Sequence, residues 1–373
     1  RRGWRRPPRG HGHHPGGRPG RQRAGAEHGG RCLTFRSLTR GRGDTMIETG
    51  AFLSLRYDLR APAFGAPAEA LYRAALDQCA WAEDNGFLMA TLSEHHGSDD
   101  GYCPSPLVMA AAIAGRTRNL RLMIAALVLP LYEPVRLAED LAVLDLASGG
   151  RVDLILGAGY RQEELAMFGR TLDDRVPLLE EGIEVLRNAW TGEEFTYRGR
   201  RVRVTPRPAR PEGPGLLLGG ASRAAARRAA RLGLGFLPVD ATVWGYYQEA
   251  CRELGQEVGP APGLDQPRFV HVADDPDEAW ARIAPHAFHD TNVYGSWLAN
   301  ANERGPYEMT DDVDSLRTSG AYVVLTPDEC VARVRETGSL MLHPLMGGLD
   351  PDLAWESLEL IAGKVIPRLG APG

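Results

Sequence analysis

Glu94-His95-His96, one residue beyond the apolar run Phe87–Leu92, is the segment best suited to proton chemistry. An imidazole titrates near neutral pH and can give or take a proton, and Glu94 beside it could orient it. Adjacent residues at a strand end point to opposite sides, so His95 and His96 are not expected to chelate one metal ion together. The plainer reading is a loop histidine pair held by Asp99 or Asp100. Gly157-Ala158-Gly159-Tyr160 is a second candidate, because two glycines after a strand permit a tight turn and close approach to a ligand. It is not a dinucleotide fingerprint, since Gln162 occupies the place of the last glycine, and a structural turn accounts for it equally well. Gly219-Gly220-Ala221-Ser222 is a third candidate. Free backbone N–H groups at a helix start and a capping hydroxyl suit a phosphate, with Arg223, Arg227 and Arg228 at hand. An ordinary capped helix with a solvated arginine face is the alternative. Ala125-Ala126, taken alone, are small core residues.

For these residues to cooperate, the elements bearing them must end on one face, as strands of a parallel α/β protein do. Strands are expected at 47–55, 87–92, 120–129, 152–156, 216–218, 235–239, 268–272 and 340–343. Helices are expected at 67–85, 104–117, 134–147, in segments from 162 to 190, and at 222–232, 242–254 and 351–369. Residues 192–214 break the rhythm with a hairpin-like stretch and a Pro/Arg-rich loop. Residues 276–337 read as a mostly helical excursion, with Tyr294, Trp297 and Tyr307 expected in a lid or pocket wall. Eight strand–helix units over about 325 residues fit a (β/α)8 TIM barrel with insertions, and a doubly wound open sheet is the alternative.

Composition narrows the partners. Hydrophobic residues make up 43% of the 373, enough for a sizeable core. Residues 1–45 carry twelve arginines against Glu27 and Asp44, while the whole chain is at −5, so the remainder is strongly acidic. No nucleic-acid partner is therefore expected. The first 45 residues are expected to be a disordered Arg/Gly/Pro-rich extension, not native to the fold, preceding one domain at 46–373. Alternatives for it are an RNA-binding arm or a metal tract at His11, His13 and His14. No apolar segment follows Arg1-Arg2 as a signal peptide requires, and no run is long enough to span a bilayer. Cys32, Cys79, Cys103, Cys251 and Cys330 are scattered without a CxxC pattern, so neither a disulfide framework nor a zinc site is expected, and the chain reads as cytoplasmic.

Together these segments closely resemble the bacterial luciferase-like family of flavin-dependent monooxygenases. The resemblance is carried by Glu94-His95-His96, Pro104-Ser105-Pro106 and Ala125–Pro130. It continues through Pro134–Asp140, Leu144-Asp145, Ser148-Gly149-Gly150-Arg151, Gly219–Ser222 and His343–Gly348. It implies a (β/α)8 barrel, commonly a homodimer, that takes reduced FMN from a separate flavin reductase and uses O2 to oxidise a small organic substrate. It also implies that His95 is the acid–base residue and that Ala125-Ala126 forms a non-proline cis peptide against the flavin ring. Gly219, Gly220, Ala221 and Ser222 match the loop that receives the flavin phosphate; Gly157, Gly159 and Tyr160 line the cofactor side. Three positions depart from the luciferases: Gly157 replaces their reactive cysteine, Ala158 the following arginine, and Glu133 the histidine before Pro-Val-Arg. These departures keep open a deazaflavin-dependent dehydrogenase or reductase on the same fold, and a non-catalytic flavin-binding subunit.

Overall fold

The computed structural model describes residues 51–259, 262–263 and 266–370. Expectations placed on residues 1–45, on Cys32 and on the start of the first strand lie outside these residues.

In chain order the strands are β1 (Phe52–Tyr57), β2 (Met89–Leu92), β3 (Arg121–Val128), β4 (Val152–Gly157), β5 (Phe195–Tyr197), β6 (Arg200–Val202), β7 (Gly215–Gly220), β8 (Gly235–Pro238), β9 (Phe269–Val272), β10 (Tyr322–Leu325) and β11 (Ser339–Leu342). The helices are α1 (Ala68–Asp84), α2 (Pro106–Ala114), α3 (Pro134–Ser148), α4 (Gln162–Met167), α5 (Arg175–Trp190), α6 (Arg223–Arg231), α7 (Ala241–Glu253), α8 (Pro276–Ala301), α9 (Val313–Thr318), α10 (Pro327–Thr337), α11 (Pro351–Leu360) and α12 (Ile366–Leu369). Local chemistry sets many boundaries. Proline opens α2, α3, α8, α10 and α11, where its missing N–H costs no helical bond. Thr326 and Glu329 form a reciprocal capping box at the start of α10, and Gly149 ends α3 with φ 71°.

Seven strands form one curled parallel sheet in the order β11-β1-β2-β3-β4-β7-β8. Its side chains divide by period two. Leu53, Leu55, Leu92, Ile124, Leu154, Leu156, Leu216 and Leu218 join the large core beneath the helices. Met89, Met123, Ile155 and Leu217 form a second cluster on the inner face, with Phe52, Ala125, Ala126 and Leu237 packed against it. Seven of the eight expected barrel strands thus lie in one sheet. Among the described residues β9 pairs in parallel with β10 and is not laddered to β8 or β11. β10 lies inside the segment expected to be mostly helical. Tyr322-Val323-Val324-Leu325, bounded by Gly320 and Pro327, carried a strand signal too short to separate from buried helix. Around β9 and β10 a further core gathers Phe269, Trp280, Ile283, Tyr322, Leu349 and Leu353. Among the described residues, no helix is long and apolar enough to cross a membrane.

Candidate active site

The C-terminal end of β2 delivers Glu94, His95 and His96 to three different environments. His95 is 8% exposed, and its Nδ1 lies 2.7 Å from Glu164 Oε1 on α4. The same carboxylate oxygen accepts from the His96 backbone N–H at 3.0 Å and from Arg161 at 2.8 Å. Four aromatic rings enclose the imidazole: Tyr102 at 4.8 Å, Trp297 at 4.9 Å, Tyr294 at 5.6 Å and Tyr160 at 5.7 Å between centroids. Burial is the largest influence on His95 and holds it below its usual pKa, although Glu164 pulls the other way. Burial alone would raise the Glu164 carboxyl. Its hydrogen bonds from His95 and His96, with the Arg161 charge, hold it below the ordinary carboxylate range. Both shifts favour a neutral imidazole beside a carboxylate. With Nδ1–H donating to Glu164, Nε2 is left as the acceptor.

Two expected contacts fall to other partners. Among the described residues, no hydrogen bond joins the Glu94 carboxylate to His95. That carboxylate accepts from Val128 N at 2.7 Å and from the Tyr132 hydroxyl at 2.6 Å, and lies 3.0 Å from His96 Nε2. It ties the end of β2 to the end of β3. Asp100 does not hold the histidine pair either, being 2.6 Å from Arg60 and 2.8 Å from His289 Nε2. The partner of His95 lies 69 residues downstream, and nothing in local spacing pointed to it.

A wall poor in side-chain atoms faces this end of the sheet. The Ala125–Ala126 peptide is cis, as the resemblance implied, and the β3–β4 register shifts between Ala125 and Leu127. Gly157 lies against that step: a Cβ there would stand 3.1 Å from the Ala126 methyl. Gly159 has φ 78°, a conformation that favours glycine, and its carbonyl accepts from Arg175 at 2.9 Å. Among the described residues, the buried Tyr160 hydroxyl meets no hydrogen-bond partner.

Gly219 and Gly220 end β7, and Ser222 caps α6 by accepting from Ala225 N at 3.2 Å. A Cβ on Gly220 would sit 2.5 Å from the Ala225 methyl, so this glycine permits close helix–strand approach. The arginines expected to assist here are committed elsewhere. Arg223 and Arg227 pair with Glu249 and Glu253 at 3.0 and 2.8 Å, and Arg228 pairs with Glu180 at 3.0 Å. They belong to the outer helix layer.

Residue reasoning also passed over Arg60. Fully buried, its guanidinium lies 4.7–4.8 Å from the ring centroids of Tyr102, Tyr294 and Trp297, under the cage around His95. Asp58, Asp100 and Asp290 converge on it at 3.4, 2.6 and 3.5 Å. Asp58 also meets His343 Nε2 at 3.2 Å. The legible signal was Asp58-Leu59-Arg60 itself, charge placed directly after an apolar strand.

The chain as a whole is similar to several known proteins. The family model for luciferase-like monooxygenases matches residues 49–343. The 4-hydroxyprotoasukamycin monooxygenase of Streptomyces nodosus subsp. asukaensis is 27% identical over 86% of this chain and 92% of its own. The oxygenase component of the flavin-dependent trigonelline monooxygenase of Acinetobacter baylyi is 24% identical over 62% of this chain and 68% of its own. An uncharacterised protein, y4vJ of Sinorhizobium fredii, is 36% identical over 134 residues, a match spanning 36% of this chain and 38% of that one.

Solved structures share the fold. Monooxygenase RslO1 from Streptomyces bottropensis superposes with TM-score 0.68 at 23% identity, over 85% of this chain and 99% of its own. The oxygenating constituent of 3,6-diketocamphane monooxygenase from Pseudomonas putida, in complex with FMN, gives 0.64 at 20% identity over the same shares. An F420-dependent secondary alcohol dehydrogenase gives 0.59 at 17% identity, over 86% of this chain and 99% of its own. The chain is an oxidoreductase and belongs to the luciferase-like monooxygenase family.

Proposed function

We propose that the protein is a flavin-dependent monooxygenase, taking reduced FMN from a separate reductase and using O2 to oxidise a small organic substrate. The observation that carries this reading is the buried, hydrogen-bonded His95–Glu164 pair in its aromatic cage, at the same sheet end as the Ala125–Ala126 step and Gly157. These residues fit a flat cofactor. The Cβ-less surface at Gly157 lets a ring approach backbone, and the unpartnered Tyr160 hydroxyl supplies a polar contact. The Gly219–Ser222 turn and the N–H groups opening α6 would hold the phosphate.

Bound reduced FMN would supply the electrons that activate O2 for transfer to the substrate. His95 Nε2 would hold or deliver a proton at the reacting centre, Glu164 fixing the ring and its tautomer. Tyr102, Tyr294 and Trp297 would exclude water from that centre. Glu94 acts by positioning, through Val128 and Tyr132. On this reading the curled sheet belongs to a (β/α)8 barrel whose remaining staves are β9 and its neighbours, and the enzyme is a cytoplasmic homodimer.

A second reading is hydride transfer with a deazaflavin, favoured by Ala158 in place of arginine and by the likeness to an F420-dependent dehydrogenase. Anaerobic titration with reduced FMN and with reduced deazaflavin, followed by admission of air, separates the two. The expected result is saturable binding of FMN and flavin-dependent O2 uptake. Tight deazaflavin binding without oxygen consumption overturns the monooxygenase reading in favour of hydride transfer.

A further inference from the structure

Two arginines near the cage around His95 stand in circumstances unlike those of Arg60. Arg56 lies four residues before Arg60, on β1. Its register partner on β2 is Thr91, and Thr91 in turn pairs with Met123, a member of the inner-face cluster. By the period of two, Arg56 therefore shares the inner face with Met123 and Ala125. Its guanidinium reaches the Tyr307 hydroxyl at 3.5 Å. Arg268, at the threshold of β9, lies 4.6 Å from the centroid of the same Tyr307 ring. Tyr307 stacks on Tyr294 at 4.3 Å, and the Tyr294 hydroxyl lies 2.6 Å from that of Tyr102, the ring nearest His95. Both arginines thus open onto the aromatic cluster that surrounds His95.

Neither has a carboxylate to itself. Among the described residues, no Asp or Glu oxygen lies within ion-pair distance of Arg56 or Arg268, whereas Asp58, Asp100 and Asp290 all converge on Arg60. Those acids are further engaged by His343, by His289 and by the Tyr322 hydroxyl at 2.8 Å. A guanidinium presents five donors in a planar fork that matches a carboxylate, and the one long bond to Tyr307 leaves most of the Arg56 fork unused. Both residues are half-buried, whereas Arg60 is sealed in the core.

We infer that Arg56 and Arg268 form an anion-recognition site beside the His95 cage, and that the substrate oxidised here is an organic acid anchored by its carboxylate. The inference rests on the proposed reading of the inner face as the cofactor and substrate pocket. It commits to the carboxylate of a substrate, not to a phosphate.

Titration of the full-length protein tests it, with intrinsic tryptophan fluorescence and calorimetry as readouts. The probes are hexanoate, phenylacetate and indole-3-acetate, their three primary amides, and inorganic phosphate. At least one acid is expected to saturate, binding about tenfold or more tighter than its amide. Arg56→Gln should abolish that preference by bringing acid binding down to the level of the amide. Arg268→Gln should weaken acid binding by a separate route, so the inference stays testable if one variant fails to fold. Equal binding of acids and amides, saturation by no acid, or binding of phosphate alone overturns it. Reduced FMN binding by the unsubstituted protein is measured alongside. Flavin retained without acid preference removes this site and leaves the cofactor reading; acid preference without flavin binding does the reverse.

Discussion

Burial favours the uncharged form of the His95 imidazole, and that bias has measurable consequences. Burial pulls its pKa below 6.5 while Glu164 opposes the shift, so the unprotonated ring persists below the pH at which a free histidine charges. If His95 acts as proposed, the acid limb of kcat/KM lies below pH 6.5. Glu164→Gln removes the influence that raises the pKa, so the limb should move to still lower pH. It also loses a charge-assisted bond of about 1.5–3 kcal/mol, or roughly 10- to 150-fold in rate. His95→Ala should cost about 10²–10⁴-fold, as loss of a positioned acid–base group does. An unchanged acid limb in Glu164→Gln would sink the assignment of that limb to His95. At this scale the sequence was half legible. His95 stood out because a polar tip on an apolar strand has few structural uses. Glu164 and Arg60 did not, because a carboxylate on a short helix and a charge pair after β1 acquire meaning only when the chain folds.

Helices were the most legible elements, because proline and capping residues mark their ends whatever they pack against. β10 and the pairing of β9 were not, since a four-residue apolar run is compatible with several neighbours and pairing is decided by tertiary context. The glycine-bearing strand ends were legible as turns, but their packing role was hidden. At Gly220 the limit is the Ala225 methyl, 2.5 Å from where a Cβ would stand. Gly220→Ala must therefore push α6 away from β7, at a cost of about 1–3 kcal/mol for overpacking. Ala225→Gly alone should cost about 0.5–1 kcal/mol, the usual helix penalty. The double substitution should recover most of the Gly220→Ala loss, because the clash needs both methyls. Urea unfolding of the four proteins gives the coupling energy. Strict additivity would show that the steric contact does not limit the approach of α6. If the Gly219–Ser222 turn holds the flavin phosphate, Gly220→Ala should also weaken FMN binding and the double variant restore it.

Across the whole molecule, the buried titratable groups decide how stability responds to acid. His271 on β9 is 3% exposed, and burial, with the Arg282 charge adding, pulls its imidazole down to about 4. Its native pKa is thus depressed relative to the unfolded chain, which takes up the proton first as pH falls. The associated stability is complete above pH 6.5 and is lost progressively down to about 4. The shift corresponds to a quantity on the order of 3 kcal/mol. His95 and His286 are lowered as well, so each also loses stability as pH falls below 6.5. Asp58 behaves alike at lower pH. Burial would raise it, but His343, Arg60 and Arg56 hold it at about 2 against an ordinary 3.8, so its contribution disappears between those values. Acid should therefore destabilise the protein in two stages, one carried by neutral histidines that must charge and one by paired carboxylates that must neutralise. His271→Leu separates them. Urea midpoints of the variant should fall less steeply than those of the unsubstituted protein between pH 7 and 4. Below pH 4 the two curves should run parallel, since the Arg60 cluster is intact in both. Parallel curves over the whole range would mean that His271 is not held neutral, and that the core around β9 and β10 admits water.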